Sequence, residues 1–251
     1  MSIDIPQLRE LRPDLVNIAQ FLGSYLRQLH DLLDPRHSPV LAYINRDATS
    51  NSSFLDSQLL WNNFEGFIKK QRFRVEQRYS TEWKHLLNSR QILELTQYLP
   101  LDATSLCTFQ RSNEQYPSYL HGDLNEDHLL ILPENDSETE LINKRWKPLS
   151  VIDFGDSMLG DRHYDFVAIY VSTFRCNKSL MRVFLESYNN GNSSTHSPVI
   201  LWPQHPEKFA YICMCYTLLH KQDALRTVFH HVPSLKNDMS LKEIEQALWM
   251  L

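Results

Sequence analysis

Residues 119–132 read YLHGDLNEDHLLIL, and residues 151–166 read VIDFGDSMLGDRHYDF. The first stretch gathers His121, Asp123, Asn125, Glu126, Asp127 and His128 within eight positions and then turns wholly apolar. Two short apolar runs, HLLIL (128–132) and LSVIDF (149–154), are separated by a polar connector of 16 residues, PENDSETELINKRWKP. Runs of this length and composition read as two buried strands joined by a long exposed loop. Their simplest pairing is antiparallel, which brings the start of the first beside the end of the second. Asp123 and Asp153, 30 positions apart in the chain, then converge at one edge. Active residues favour loops held by rigid elements. One carboxylate to hold a hard cation and another to accept a proton are what phosphoryl transfer requires. Capping and turn chemistry is the structural alternative for the same two groups.

On either side of this middle section the chain reads as helix. Pro13 suits a first helical turn, and Leu15, Ile18, Leu22, Tyr25, Leu29 and Leu32 follow in helical register up to Asp34-Pro35. The periodicity predicts helices near 54–78 and 81–99, whose Trp61, Phe64, Phe67 and Trp83 read as core at that spacing rather than as a substrate cleft. After Gly160, HYDFVAIYVSTF is apolar nearly all round, the pattern of a helix buried on every side, with Asp161 placed to cap it. Further helices are predicted near 179–189, 206–229 and 240–250. The expected class is α+β, mainly α, with a small antiparallel β element.

Composition bounds the function. The chain has 251 residues, 42% hydrophobic and 22% charged, the profile of an ordinary globular protein. A formal net charge of −5 argues against nucleic acid as the partner. The sequence has no apolar run long enough to span a membrane, and its first residues lack the apolar core of a signal peptide. Cys107, Cys176, Cys213 and Cys215 are scattered, as fits reduced thiols in a cytoplasmic or nuclear protein that is not secreted. Cys213 and Cys215 read as helix core rather than a metal site, and His220, His230 and His231 as surface or satisfied residues.

HGDLNEDHLL followed by VIDFGDSMLGDRHYDF resembles the signature of the aminoglycoside phosphotransferase-like family, relatives of the protein kinases. That signature has HGDxxxxN before one strand, ID and an aromatic at the end of the next, and then GDPxxDL. LGSYLRQLHDL (22–32) is similar to the helix that leads out of the family's hinge. A further similarity, through GDSMLGDRHYDFVAIYVSTFR and MCYTLLH, is to the phosphotransferase-like region of some F-box/JmjC-domain proteins. The resemblance implies a kinase-like C-terminal lobe over 1–251: a leader at 1–12, a helical part at 13–118, the motifs at 119–166 and a second helical part at 167–251. It implies Asp123 as catalytic base, with His121, grouped with it in the catalytic set, and Gly122 shaping the catalytic loop. Asp153 is implied as the Mg²⁺ ligand that contacts ATP phosphates. Asp165 is implied to accept hydrogen bonds from the catalytic-loop backbone, and Asp161 to cap a helix.

Two departures qualify this. The family's Asn five positions after the base is His128 here, and imidazole suits softer metals than Mg²⁺. His128 and Asn125 are therefore the expected cofactor contacts, with Asp127 as an alternative oxygen donor, and the metal site is expected to be altered. The structural alternative for His128, and the favoured one, is a strand-start histidine with one ring nitrogen bonded to backbone. The family's N-terminal ATP lobe is the second. None of the six glycines forms GxGxxG or GxxxxGK, and no VAIK-like lysine precedes the first helix. The clamp is then expected from a protein partner or a missing N-terminal segment. The function read from all this is ATP-dependent phosphoryl transfer to a hydroxyl of a small molecule or protein, with the isolated chain expected to be inactive until that clamp is supplied. The alternative is a non-catalytic, pseudokinase-type interaction domain. An iron centre built on His121 and Asp123, with His163, His205 or His220 as third ligand, would need a barrel of about eight strands that the sequence does not offer.

Overall fold

The computed structural model describes residues 12–32, 57–78, 81–107, 116–133, 146–190, 201–236 and 239–251. In chain order the elements are α1 (Pro13–His30), α2 (Ser57–Arg78), α3 (Ser89–Tyr98), β1 (Ser118–Leu120), β2 (Leu129–Pro133), β3 (Trp146–Val151) and β4 (Met158–Gly160). There follow α4 (His163–Ala168), which continues into a π-helical turn (Ile169–Thr173), then α5 (Lys178–Asn190), α6 (Pro206–Leu219), α7 (Ala224–His231) and α8 (Leu241–Trp249).

Pro13 opens α1 at a position where its missing N–H costs nothing. Ile18, Leu22, Leu26 and Leu29 recur along one buried face of α1, which packs on the Leu180, Met181, Phe184 and Tyr188 face of α5. The two helices come so close that a Cβ on Gly23 would lie 2.4 Å from the Phe184 carbonyl oxygen, so only glycine fits there. Every residue of α4 is buried, as its all-round apolar sequence predicts, and Phe64 and Phe67 of α2 pack edge-on against Tyr164. Trp61, Phe64 and Trp83 are core residues. Each fully buried side chain of this size contributes about 1.5–3 kcal/mol relative to exposure.

The β element is larger than the sequence predicts and differently buried. β2 and β3 pair antiparallel with Leu129 opposite Val151, so the start of one strand does meet the end of the other. A second pair, β1 with β4, sets Ser118 opposite Gly160; three-residue strands carry too little pattern to be read in advance. The expectation of buried strands at 128–132 and 149–154 is corrected. Leu130, Ile131, Leu132 and Leu149 are 40%, 38%, 51% and 57% exposed. Leu129 and Val151, opposite each other, pack against the core, and beyond them the two-stranded ribbon leaves Leu130, Ile131 and Leu132 exposed.

Two predicted helices are broken. The segment 81–99 begins with a 3₁₀ turn at Trp83–His85. A capping box between Asn88 and Gln91 then restarts the chain as α3. The segment 206–229 divides at 220–223, where His220 is extended and Asp223 is left-handed with φ 53°. No glycine or proline marks that break in TLLHKQDAL, yet it shapes the site described next. Asp34-Pro35, the expected end of α1, lies outside the described residues. Among the described residues no helix is long and apolar enough to cross a membrane.

Candidate active site

The chain leaves β1 at buried Leu120 and turns through His121, Gly122 and Asp123. Gly122 has φ +84°, and a Cβ there would lie 2.3 Å from the Asp156 carbonyl oxygen, so the turn and the 155–157 backbone touch only because this residue is glycine. Behind the turn, the fully buried carboxylate of Asp165 accepts the His121 amide at 2.8 Å and the Gly122 amide at 2.9 Å. It also accepts His30 Nε2 at 3.1 Å. Burial works to raise the Asp165 carboxyl, but His30 and the two backbone amides outweigh it and hold the group below the usual carboxylate range.

His30 is itself pushed down by burial against the pull of Asp165, so it is the neutral imidazole that donates from Nε2. Its Nδ1 then accepts the Tyr188 hydroxyl at 2.8 Å, and that hydroxyl accepts Arg162 Nη1 at 2.8 Å. An oriented series of hydrogen bonds thus runs from Arg162 through α5 and α1 to the loop amides. Asp161 pins the start of α4 by accepting His163 N at 2.9 Å and Nδ1 at 2.6 Å, and holds α6 through the Tyr216 hydroxyl at 3.0 Å.

In front of the turn lies an open cavity of about 330 Å³ lined by Asp123, His128, Asp153, Gly155 and Asp156. Asp153 leaves the end of β3 in a left-handed conformation, φ 63°, which aspartate tolerates better than most residues. Its carboxylate is 61% exposed. His128 joins the two halves: Nδ1 donates to the Asp123 carbonyl at 2.7 Å, and Nε2 lies 3.4 Å from Asp153 Oδ2. The imidazole therefore has one ring nitrogen on backbone and the other in the cleft.

Two expected site residues do not face this cavity. His121 is buried, stacks near Phe154 at 4.7 Å and donates Nε2 to the Ile152 carbonyl at 2.9 Å. It ties the loop to the end of β3, in keeping with a loop-shaping part, and does not face the cavity as a catalytic group would. Asn125 Oδ1 accepts the Asp127 amide at 2.9 Å as a turn cap, so that oxygen is committed, and Asn125 Nδ2 lies 3.5 Å from Asp123 Oδ1. Three residues were missed. Asp156 lines the cavity, Lys221 Nζ pairs with Asp156 Oδ1, and Gln222 Nε2 donates to Asp123 Oδ2 at 3.1 Å. Asp156 stands in the quoted motif without a role in it; Lys221 and Gln222 were hidden inside a supposed helix.

Asp123, Asp153 and Asp156 offer the cavity hard carboxylate oxygens, which suit Mg²⁺, and His128 Nε2 adds a nitrogen beside Asp153. That ion takes one or two carboxylates together with substrate phosphates rather than an all-protein cage. Among the described residues no cluster of three or more His, Cys, Asp or Glu side chains could hold a metal alone. The iron alternative has His121 Nε2 and His163 Nδ1 already committed to Ile152 and Asp161.

His220 is buried, stacked on Tyr164 at 4.5 Å, which corrects its reading as a surface or satisfied residue. Its Nδ1 accepts the Gln222 amide at 3.3 Å, and Nε2 has no partner among the described residues. Burial pushes it down to about 4. Below pH ~6.5 the unfolded chain takes up a proton that the folded chain refuses until pH ~4, so stability falls across that window by about 3 kcal/mol. Urea unfolding of His220→Phe, which keeps the ring stack, is expected to show a flatter pH dependence between those values; equal slopes would contradict it.

A profile of the phosphotransferase enzyme family (APH) matches residues 5–196. Lysine-specific demethylase JMJ21 of Arabidopsis thaliana is 27% identical over 264 residues, covering 96% of this chain and 27% of that protein. Two solved structures cover 96% of this chain and 65% of their own: a GDP and kanamycin complex of APH(2″)-IIIa, 18% identical with a TM-score of 0.45, and a GDP complex of wild-type aminoglycoside 2′-phosphotransferase-IIIa, 16% identical with a TM-score of 0.43. The chain thus spans about a quarter of the curated relative and less than two thirds of each solved chain. The profile takes in α1, both β pairs, the cavity-lining carboxylates and α5. This chain belongs to the phosphotransferase enzyme family.

Proposed function

We propose that the chain moves the γ-phosphoryl group of ATP to a hydroxyl of a small molecule or protein side chain. The observation that carries this reading is the shared cavity of Asp123 and Asp153, spanned by His128. Asp123 takes the proton of the acceptor hydroxyl as the acceptor oxygen bonds to phosphorus and the bond to the β-phosphate oxygen breaks, releasing ADP. Asp153 and, next to it, Asp156 are the residues that would hold Mg²⁺, which when bound neutralises charge on the phosphate oxygens. Leu130 and Ile152, exposed apolar side chains on one side of the β2–β3 pair by its register, precede Asp153 and offer a surface for the nucleotide base. Asp165, Gly122 and His121 keep the base in place. A protein partner or an N-terminal segment supplies the remaining phosphate contacts. No disulfide joins the described cysteines, which fits a cytoplasmic or nuclear setting.

Calorimetry with Mg-ATP tests the reading. The wild-type chain is expected to bind with a heat that depends on Mg²⁺, and Asp153→Asn to lose that dependence. Absent heats in both proteins would count against nucleotide chemistry. A second reading, a non-catalytic interaction domain, is favoured by one observation: His128 Nε2 lies 3.4 Å from Asp153 Oδ2, where a protonated ring would compete with a cation. Binding without turnover would select it.

A further inference from the structure

We infer that Lys221 is a catalytic residue, the cation that clamps the transferring phosphoryl group from the break between α6 and α7. This rests on the phosphotransferase reading above. A phosphoryl group in transfer spreads negative charge over three oxygens. The cavity walls supply Asp123, Asp153 and Asp156, which are negative as well. The segment 121–128, HGDLNEDH, contains no lysine or arginine to offset them. Lys221 pairs its ammonium group with Oδ1 of Asp156, one of the carboxylates that line this cavity, and its four-carbon stem lets it swing from that oxygen to a phosphoryl group.

The loop that carries it is anchored on three sides. The Lys221 amide donates to the Tyr164 hydroxyl at 3.0 Å, His220 stacks on the same ring, and Trp83 Nε1 donates to Asp223 Oδ1 at 3.1 Å. The backbone is fixed while the side chain keeps its four-carbon reach. The Lys221–Asp156 pair is 37% and 33% exposed, a setting in which ion pairs contribute little to folding. Stability alone therefore does not account for it. Next to it, Gln222 Nε2 reaches Asp123 Oδ2 at 3.1 Å and Asp156 Oδ2 at 3.5 Å, a second N–H donor aimed at the same space. In the structure these donors rest on the Asp123 and Asp156 carboxylates, and a phosphoryl group entering the cavity would compete for the same donors. Lys221 stabilises the oxygens while the acceptor's bond to phosphorus forms and the bond to ADP breaks.

The probe is ADP with Mg²⁺, with and without fluoroaluminate, which mimics the phosphoryl group in flight and is held more tightly than ground-state ligands. Calorimetry on the full chain is expected to show fluoroaluminate tightening ADP binding in wild type. Lys221→Met is expected to bind Mg-ADP as wild type does but to lose about a hundredfold of the tightening. Lys221→Arg should recover part of it, and the thermal midpoints of both variants should match wild type. Tightening in Lys221→Met equal to wild type would overturn the clamp, as would Mg-ADP binding in wild type with no tightening at all. Failure of wild type to bind Mg-ADP would instead remove the phosphotransferase reading, and the clamp with it. Should Lys221→Met melt early, Lys221→Gln carries the same comparison.

Discussion

Asp165→Ala is expected to lower the unfolding free energy by about 3–5 kcal/mol, the cost of removing one partner from a buried charged network. The carboxylate is wholly buried and accepts three donors: the His121 amide at 2.8 Å, the Gly122 amide at 2.9 Å and His30 Nε2 at 3.1 Å. Without it, all three lose their acceptor in a place water does not reach. The damage spreads outward, because His30 in turn accepts the Tyr188 hydroxyl. Urea unfolding reads the loss, and hydrogen exchange at the His121 and Gly122 amides reads its location. A change below about 1 kcal/mol, the scale of a single ordinary hydrogen bond, would contradict this account. The pH dependence has a fixed sign. Asp165 is held below its unfolded value, so its contribution is present at neutral pH and fades as pH falls below about 4, the ordinary carboxylate value.

Asp123→Asn is expected to reduce Mg-ATP-dependent phosphoryl transfer by about 10²–10⁴-fold, the usual contribution of a general base. The amide keeps the shape of the carboxylate and can still hydrogen-bond Gln222, which lies 3.1 Å from Asp123 Oδ2. It cannot accept the acceptor's proton. Nucleotide affinity should change little, because Asp153, not Asp123, is assigned to the phosphates. Phosphate release with water as acceptor, followed alongside ATP affinity, separates the two. Equal turnover in the variant and the wild type would remove Asp123 from the chemistry. No turnover in a wild type that binds Mg-ATP would favour the interaction-domain reading.

The parts of this fold that were legible in the sequence are those with a long or repeated pattern. The α1 stripe, the all-round apolar α4 and the HLLIL–LSVIDF pairing each carry several residues of consistent period, and the structure has all three elements. The family resemblance placed Asp165 behind the loop, where its carboxylate meets the His121 and Gly122 amides. What could not be read has a physical cause in each case. Strand burial depends on what lies over a sheet, and the β2–β3 composition is equally consistent with a covered strand and with an exposed apolar face. The division of 206–229 rests on tertiary contacts, Trp83 with Asp223 and Tyr164 with Lys221, rather than on a local breaker. The inward turn of His121 was hidden for a similar reason. Motif spacing names residues that lie together but not which way a ring points, and here the Ile152 carbonyl decides it. Gln222 reaches Asp123 across 99 positions of chain and Lys221 reaches Asp156 across 65, which no local pattern records.

The central claim is that Asp123 and Asp153 face one nucleotide-bound cation from the mouths of neighbouring strands. A crystal structure with Mn²⁺ and a non-hydrolysable ATP analogue, the metal located by its anomalous signal, tests it most directly. The expected result is Mn²⁺ on the Asp153 carboxylate, the terminal phosphate between that metal and Asp123, and the base against Leu130 and Ile152. Nucleotide bound away from the cavity, or metal held without contact to Asp153, would contradict the account.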